Sequence, residues 1–512
     1  MYGKVNSACV QGIEGRLIEV ELDISSGLPY VAIVGLPDSA IREATDRVRA
    51  AIRNCRFEFP LQRITVNLAP ADLKKEGSAF DLAIAVGILS VSGQIDPAWT
   101  NDTLWIGELA LDGGLRPVPG VLSMVDCAKR LGLRKVALPR GNAAEAALID
   151  GVEVIPLDHL SQIGSKIESV DLINVINHQH GEQNGTQYGT RGSDAIDYAD
   201  VFGQTSAKRA VLIAAAGMHN ILLIGPPGSG KTMLIRRLPT ILPPLTHDEA
   251  LEVTKIYSVS GKLHGRTSYV NERPFRAPHH TVSAAALAGG GSVPKPGEVS
   301  MAHRGVLFLD ELPEFSRIAL EVLRQPLEDR SVTIGRAKAV CTYPSHFMLA
   351  ASMNPCPCGY FGAGSDSQTC TCSSAKIAAY RAKISGPLLD RIDLHVEVPR
   401  FRQYTTEARP EWSSRALREQ VMAAHAVQQK RYRGDGSLFN SELSGQRLLR
   451  HSRLTSPAEQ LLRVTYETLG LSFRSHDRIL KIARTIADLA GEDEIQERHV
   501  AEAVQFRTLD RV

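Results

Sequence analysis

The chain has 512 residues, 43% of them hydrophobic and 22% charged, which is too long for one hydrophobic core and ordinary in composition for a globular protein. Its 58 Lys and Arg against 56 Asp and Glu leave a net charge of +2, so any grip on a polyanion must come from a local basic surface and not from bulk charge. No apolar run approaches a membrane span, and Met1-Tyr2-Gly3-Lys4-Val5 opens without a signal-type apolar segment, which predicts a cytoplasmic protein with no membrane partner.

Residues 1–165 alternate strand and helix signals. Between Leu17 and Ile24, the side chains of Ile18, Val20, Leu22 and Ile24 share a face opposite Glu19, Glu21 and Asp23, the period of a half-buried strand. Ser39 to Cys55 carries Ile41, Ala44, Val48 and Ile52 at helical spacing. Ile64 to Leu68 reads as a strand, and Phe80 to Leu89 as a nearly all-apolar helix. Together these predict a compact α/β domain. Residues 166–196 include a polar run at 178–187 and read as a flexible linker, because they bury too little apolar surface to order themselves. A nucleotide-binding α/β domain is expected over 197–400 and a helical domain over 401–512. The expected helices of the latter are Ser414 to Arg431, Pro457 to Leu469, Ser475 to Ala490, stopped by Gly491, and Glu497 to Arg507.

The chemistry concentrates in the second segment. Ile221-Leu222-Leu223-Ile224 is a buried-strand run leading into Gly225, Pro226, Pro227, Gly228, Ser229, Gly230, Lys231 and Thr232, followed by an amphipathic stretch from Met233 to Leu238. Glycines at these spacings let backbone N–H groups curl around phosphate oxygens. Lys231 is expected to reach the β- and γ-phosphates of ATP, and Thr232 to offer its hydroxyl to Mg²⁺. The helix N-terminus adds partial positive charge there. A second strand, Val306-Leu307-Phe308-Leu309, ends in Asp310 and Glu311: one carboxylate to hold Mg²⁺ through water, the other to orient and deprotonate the attacking water. A third, Phe347 to Ala351, delivers Asn354, suited to sensing the γ-phosphate or positioning water. Arg391, in Leu389-Asp390-Arg391-Ile392-Asp393, and Arg474, read as just ahead of the third C-terminal helix, complete the expected catalytic set. By composition alone each arginine is equally a surface ion pair.

The eight cysteines divide in two. Cys9, Cys55, Cys127 and Cys341 sit among apolar neighbours and read as small buried residues. Cys356, Cys358, Cys370 and Cys372 form two C-x-C pairs around a Gly/Ser/Asp loop within the insert 356–372. Four thiolates suit a closed, structural Zn²⁺ site, although the one-residue spacing is tighter than usual; free thiols or a redox pair are the alternatives.

These motifs resemble Walker A, Walker B, sensor 1, arginine finger and sensor 2 of an AAA+ ATPase. The stretch from Ala284 to Gly297 resembles a helix-2 insert, and Val332 to Val340 a pre-sensor-1 hairpin, insertions that magnesium chelatase motor subunits share with MCM helicases. More closely, Arg276-Ala277-Pro278-His279-His280-Thr281-Val282-Ser283, Asn354-Pro355-Cys356-Pro357-Cys358-Gly359 and Asn67-Leu68-Ala69-Pro70-Ala71-Asp72 match the magnesium chelatase-like ComM/YifB family across nearly the whole chain. That resemblance implies a three-layer α/β P-loop domain with a C-terminal helical lid, a homohexameric ring, and ATP-driven branch migration of DNA in natural transformation. It aligns Lys338 with a DNA-gripping hairpin lysine; Arg336, two residues away, would share its strand face. Around a ring these make a positive collar for single-stranded, double-stranded or branched DNA without sequence specificity. Lys295 in the helix-2 insert is a lesser candidate.

The N-terminal segment resembles the Lon-protease/S5-like fold through Lys75-Glu76-Gly77-Ser78-Ala79-Phe80 and Gly107-Glu108-Leu109 to Pro119-Gly120. That pattern puts the nucleophile at Ala79 and its lysine partner near Leu122, neither of which can act. A scaffold or a DNA-interaction platform is therefore expected and proteolysis is not. A chelatase-type motor that remodels a protein partner or inserts a metal remains the alternative to a DNA motor.

Overall fold

The computed structural model describes residues 1–163, 196–263, 269–291, 294–336, 339–362, 369–400 and 412–507. Apart from Ile196, the expected linker lies outside them. The chain divides into two compact units, residues 1–189 with 250–270 and residues 190–249 with 271–512.

The first unit is built on a seven-stranded sheet. Its strands are β1 (Tyr2–Gln11), β2 (Glu14–Ser25), β3 (Tyr30–Val34), β4 (Arg63–Ala69), β5 (Thr103–Trp105), β8 (Lys135–Pro139) and β9 (Glu153–Leu157); β6 (Glu108–Leu109) and β7 (Leu115–Arg116) form a separate hairpin. The order is β3-β4-β2-β1-β5-β8-β9. Pairing is antiparallel where β2 meets β1 and β4, and parallel at the other junctions. The period-two face holds: Ile18, Val20, Leu22 and Ile24 of β2 are all buried, packed with Ile41, Val48 and Ile52 of α1 (Ser39–Asn54) and with the apolar α2 (Asp81–Val91). A second core forms around α3 (Val121–Arg130), where Val136 and Leu138 of β8 point the other way from Ala137, as a pleat requires. Within this unit Lys255, on the helix His247–Val259, pairs with Asp126 at 2.8 Å, and Ser258 donates to the buried Glu145. Cysteines 9, 127 and 341 are buried as expected, but Cys55 is only half-buried, beside the His159 imidazole at 3.8 Å.

The second unit contains a sheet of five parallel strands ordered β11-β14-β17-β10-β18, namely β11 (Phe275–Arg276), β14 (Val306–Leu309), β17 (Met348–Met353), β10 (Ile221–Ile224) and β18 (Leu394–Glu397). Every residue of β10, β14 and β17 is buried, which is why they read as unbroken apolar runs and not as alternating ones. Two hairpins leave this layer, β12 (Gly289–Gly290) with β13 (Lys295–Pro296) and β15 (Ser331–Arg336) with β16 (Ala339–Pro344). They touch: Tyr343 donates to the Pro294 carbonyl at 2.6 Å, and a Cβ at Gly289 would lie 2.6 Å from Ile334.

The C-terminal part is helical. Ser414–Arg431 matches the expected bounds, and Ser456–Leu469, Phe473–Leu489 and Glu497–Gln505 come close. A further helix, Gly445–His451, has too little apolar periodicity to be read from sequence. Ser472 accepts from Ser475 N at 3.2 Å and starts its helix at Phe473, so Arg474 lies inside the first turn and not ahead of it. The cap fixes the start, and a cap leaves no trace in apolar spacing.

At the far end of that helix Asp488 ties the bundle together. Its carboxylate accepts from Arg431 (2.5 and 2.9 Å), from Arg484 Nε (3.1 Å) and from Asn440 Nδ2 (2.8 Å), with the Arg484 and Asp488 side chains 1% and 0% exposed. Replacing Asp488 by alanine strands buried guanidinium charge, so Asp488→Ala is expected to cost about 3–5 kcal/mol. Urea denaturation of the variant beside the wild type measures it; a loss below about 1 kcal/mol contradicts a buried, fully paired carboxylate.

Candidate nucleotide site

The phosphate loop follows β10 directly. Gly228 and Gly230 take φ of +75° and +90°, the left-handed region that favours glycine, and a Cβ at Gly225 would fall 2.2 Å from the Val398 carbonyl oxygen. The following helix runs Lys231–Arg236, two residues ahead of the apolar stretch that announces it, and a short turn Leu238–Thr240 containing Pro239 ends it. Lys231 Nζ donates to the carbonyls of Gly225 (2.7 Å) and Pro226 (3.0 Å) and to Asn354 Oδ1 (3.3 Å). Burial lowers the pKa of its ammonium, against the opposing charges of Asp310 and Glu311.

Thr232 Oγ1 donates to Asp310 Oδ2 at 3.0 Å. These two oxygens suit a hard divalent cation such as Mg²⁺. Asp310 also accepts from Ser352, and the Ser352 hydroxyl accepts from Glu311 N at 3.3 Å. Glu311 itself sits at φ +56°, a conformation a glutamate adopts only under constraint. Lys231, Thr232, Asp310, Glu311 and Asn354 therefore converge at the C-terminal edge of the sheet. Two contributors were missed in the sequence. Ser352 is one residue of an apolar strand, and Gln204, whose amide donates to the carbonyls of Ser229 (3.1 Å) and Pro399 (2.6 Å), is far away in the chain. Neither carries a motif signal.

Arg391 and Arg474 are not brought to this edge. Asn220, the residue before β10, donates to the Arg391 carbonyl at 2.8 Å and accepts from Asp393 N and Leu394 N at 3.0 Å. Arg391 thus sits at the opposite end of β10, about 13 Å of strand from the phosphate loop. Its guanidinium donates to Glu328 and to the Pro387 carbonyl (2.6 Å), while its buried Nε has no acceptor among the described residues. Asp393 anchors the motif through Asn220 N (3.2 Å), His219 (3.4 Å) and Arg478 (3.6 Å). Burial alone would raise its carboxyl pKa, but the His219 hydrogen bond and the charges of Arg478 and Lys481 outweigh it and hold the group well below the usual range. Arg474 shares a cavity of about 450 Å³ with Arg391, lined also by Arg330, Arg447, Arg478, Lys481, Glu328 and Glu442. The Glu328 carboxyl is pulled down by its hydrogen bond to Arg391 and by the charges of Arg391 and Arg474.

The thiols of Cys356, Cys358, Cys370 and Cys372 all lie within 4.8 Å of one another, a constellation able to hold a metal ion. Arg336 ends β15 and Ala339 begins β16. Lys338, and with it the expected shared face, lies outside the described residues.

The model of the magnesium chelatase subunit ChlI matches residues 197–406, a second model of subunit ChlI of Mg-chelatase matches 20–142, and the model of the ChlI C-terminal region matches 411–507. The competence protein ComM of Haemophilus influenzae is 41% identical over 519 aligned residues, covering 99% of this chain and 98% of ComM. YifB of Escherichia coli is 40% identical over 510, covering 99% and 97%. The chain belongs to the magnesium chelatase-like ComM/YifB family. For a member of that family ATP and Mg²⁺ are the implied cofactors, and the loop with its Thr232–Asp310 oxygen pair fits both.

This ComM/YifB-family chain is also 30% identical to Lon protease 2 of Bacillus subtilis over 183 residues, covering 32% of the chain and 33% of that protease. Ala79 and Leu122, where the protease pattern needs its nucleophile and lysine, are 8% and 0% exposed. The adjacent Ser78 hydroxyl donates to Glu108. Among the described residues no helix is long and apolar enough to cross a membrane.

Lys231→Ala is expected to abolish nucleotide binding, read by titration with a fluorescent ATP analogue. Glu311→Gln is expected to bind the analogue normally while phosphate release slows by about 10²–10⁴. Normal turnover in Glu311→Gln removes Glu311 from its role.

Proposed function

We propose that this chain is the subunit of an AAA+ ATPase ring that drives branch migration of DNA. The carrying observation is the separation of its catalytic groups: the phosphate-handling residues stand at one end of the parallel strands, Arg391 and Arg474 at the other. A guanidinium held that far from its own loop serves the loop of a neighbour, and repeated head-to-tail contact closes a ring, which we take as a homohexamer. The strand order β11-β14-β17-β10-β18 supports the three-layer P-loop architecture. The stretch Ala284 to Gly297, which includes β12–β13, then serves as helix-2 insert, Val332 to Val340 of β15–β16 as pre-sensor-1 hairpin, and residues 401–512 as lid, after the domains at 1–165, 166–196 and 197–400.

In this reading Lys231 neutralises the β- and γ-phosphates, Thr232 and Asp310 hold Mg²⁺, Glu311 orients the attacking water, and Asn354 senses the γ-phosphate. Arg391 and Arg474 arrive from the adjoining subunit to stabilise transition-state charge. Arg336 and Lys338, with Lys295 on the touching hairpin, supply cations that follow a phosphate backbone without reading bases. Similarity to a competence protein supports recombination intermediates of natural transformation as substrate. The four-cysteine cluster is a structural Zn²⁺ site.

Added DNA is expected to raise ATP hydrolysis, Lys338→Ala to remove that stimulation with basal turnover intact, and ATP to resolve labelled three- and four-stranded junctions. Should DNA leave the rate unchanged at low salt, a chelatase-type motor that remodels a protein or inserts a metal takes its place.

Arg391→Ala is expected to slow hydrolysis by about 10³–10⁵. Mixing it with Lys231→Ala should restore activity, because one variant keeps the loop and the other keeps the arginine. Full-speed hydrolysis by Arg391→Ala, or by a monomer, refutes the ring.

A further inference from the structure

Four sulfur atoms bound tetrahedrally to one Zn²⁺ at about 2.3 Å stand about 3.8 Å apart. In this chain Cys356 Sγ lies 3.3 Å from Cys358 Sγ and 3.7 Å from Cys370 Sγ, Cys358 lies 3.6 Å from Cys370, and all four fall within 4.8 Å. Such spacing fits a shared ion and is far too long for disulfides, whose S–S bond is about 2.05 Å. Backbone N–H groups point at the sulfurs as well: Phe361 N donates to Cys356 Sγ at 3.3 Å, and Tyr360 and Thr371 donate to Cys358.

The position of this knuckle is more informative than its presence. β17 ends at Met353, Asn354 follows, and Cys356 is two residues on and fully buried. Asn354 Oδ1 is the acceptor for Lys231. On the other side of the knuckle Gly359, at φ +86°, lies against the phosphate loop itself: a Cβ there would stand 2.6 Å from Pro227 Cδ and 2.9 Å from Pro227 Cγ. The knuckle is braced from behind by Arg381, which donates to the Pro355 carbonyl at 3.5 Å and stacks over the Phe361 ring at 5.6 Å.

We propose that Cys356, Cys358, Cys370 and Cys372 bind one Zn²⁺ and that the metal-bound knuckle is a strut against the phosphate loop, fixing Asn354 and Pro227 for ATP hydrolysis. The inference rests on the nucleotide-site reading above. A short polar loop lacks the apolar surface to hold two backbone segments in register, and a closed thiolate site supplies that rigidity. The cysteines are positioning residues: they act through Asn354 and Pro227. Misplacing a catalytic group by about 1 Å costs up to about a hundredfold in rate, so removing the metal is expected to lower kcat while nucleotide binding through Lys231 persists.

The test uses the full-length protein. Elemental mass spectrometry is expected to find one zinc per chain. Cys370→Ser with Cys372→Ser should lose it, keep binding a fluorescent ATP analogue, and lose about ten- to a hundredfold in kcat with little change in KM. Zinc returned to chelator-stripped wild type should restore kcat and leave the double variant unchanged. Because that variant is open to the objection of misfolding, Gly359→Ala provides a second arm: it removes none of the four thiols, so zinc should stay while kcat falls. Full turnover by metal-free wild type, or by a zinc-loaded Gly359→Ala chain, overturns the strut, and iron in place of zinc overturns the metal assignment. Zinc-loaded wild type that neither binds nor hydrolyses ATP overturns the nucleotide site instead.

Discussion

Strand direction governs what this molecule can do. All strands of the second sheet run the same way, so each connection leaves at one edge and returns at the other. The loop after β10, the carboxylates after β14 and the amide after β17 are therefore forced together, because all three follow the C-terminal ends of neighbouring strands. By the same geometry the motif just before β18 is held at the opposite edge, pinned by Asn220 and Asp393. No side-chain rotation closes a gap set by the length of β10.

Charge differs between the two edges of the sheet. The chain is nearly neutral, yet some cations gather locally. Six of them line the Arg391 cavity with the acids Glu328 and Glu442, whereas the phosphate loop offers backbone donors and one lysine. Holding so many guanidinium groups close together costs self-repulsion, which the interspersed carboxylates offset. The buried pairs around Asp488 and Asp393 contribute less to net stability than to geometry: Asp488 joins helices of the C-terminal bundle, and Asp393, within the Arg391 motif, pairs with Arg478.

In the first unit the two positions that the protease pattern singles out hold buried apolar residues. The similarity to a Lon protease is recognisable, but Ala79 and Leu122 are packed into the core and Ser78 is engaged by Glu108. The methyl group of Ala79 and the isobutyl group of Leu122 can act neither as nucleophile nor as base. The sheet and its two cores depend on apolar pattern and not on any single reactive group.

The sequence by itself determined the local features. The phosphate loop, the acidic strand end, the β2 alternation and four of the C-terminal helices were legible because each depends on residues close in the chain, through backbone freedom at glycine or a fixed apolar period. The family was legible for the same reason, as a set of contiguous motifs. What lay beyond reach was everything set by approach across the fold: Ser352 bridging Asp310 and Glu311, Gln204 bracing the loop from 25 residues away, Gly359 against Pro227, and Arg474 joining Arg391 instead of Lys231. The cap that moved the start of the Arg474 helix was also invisible to apolar spacing. Those relations come from strand order and packing, which bring together residues that share no local pattern, so only the tertiary structure decided them.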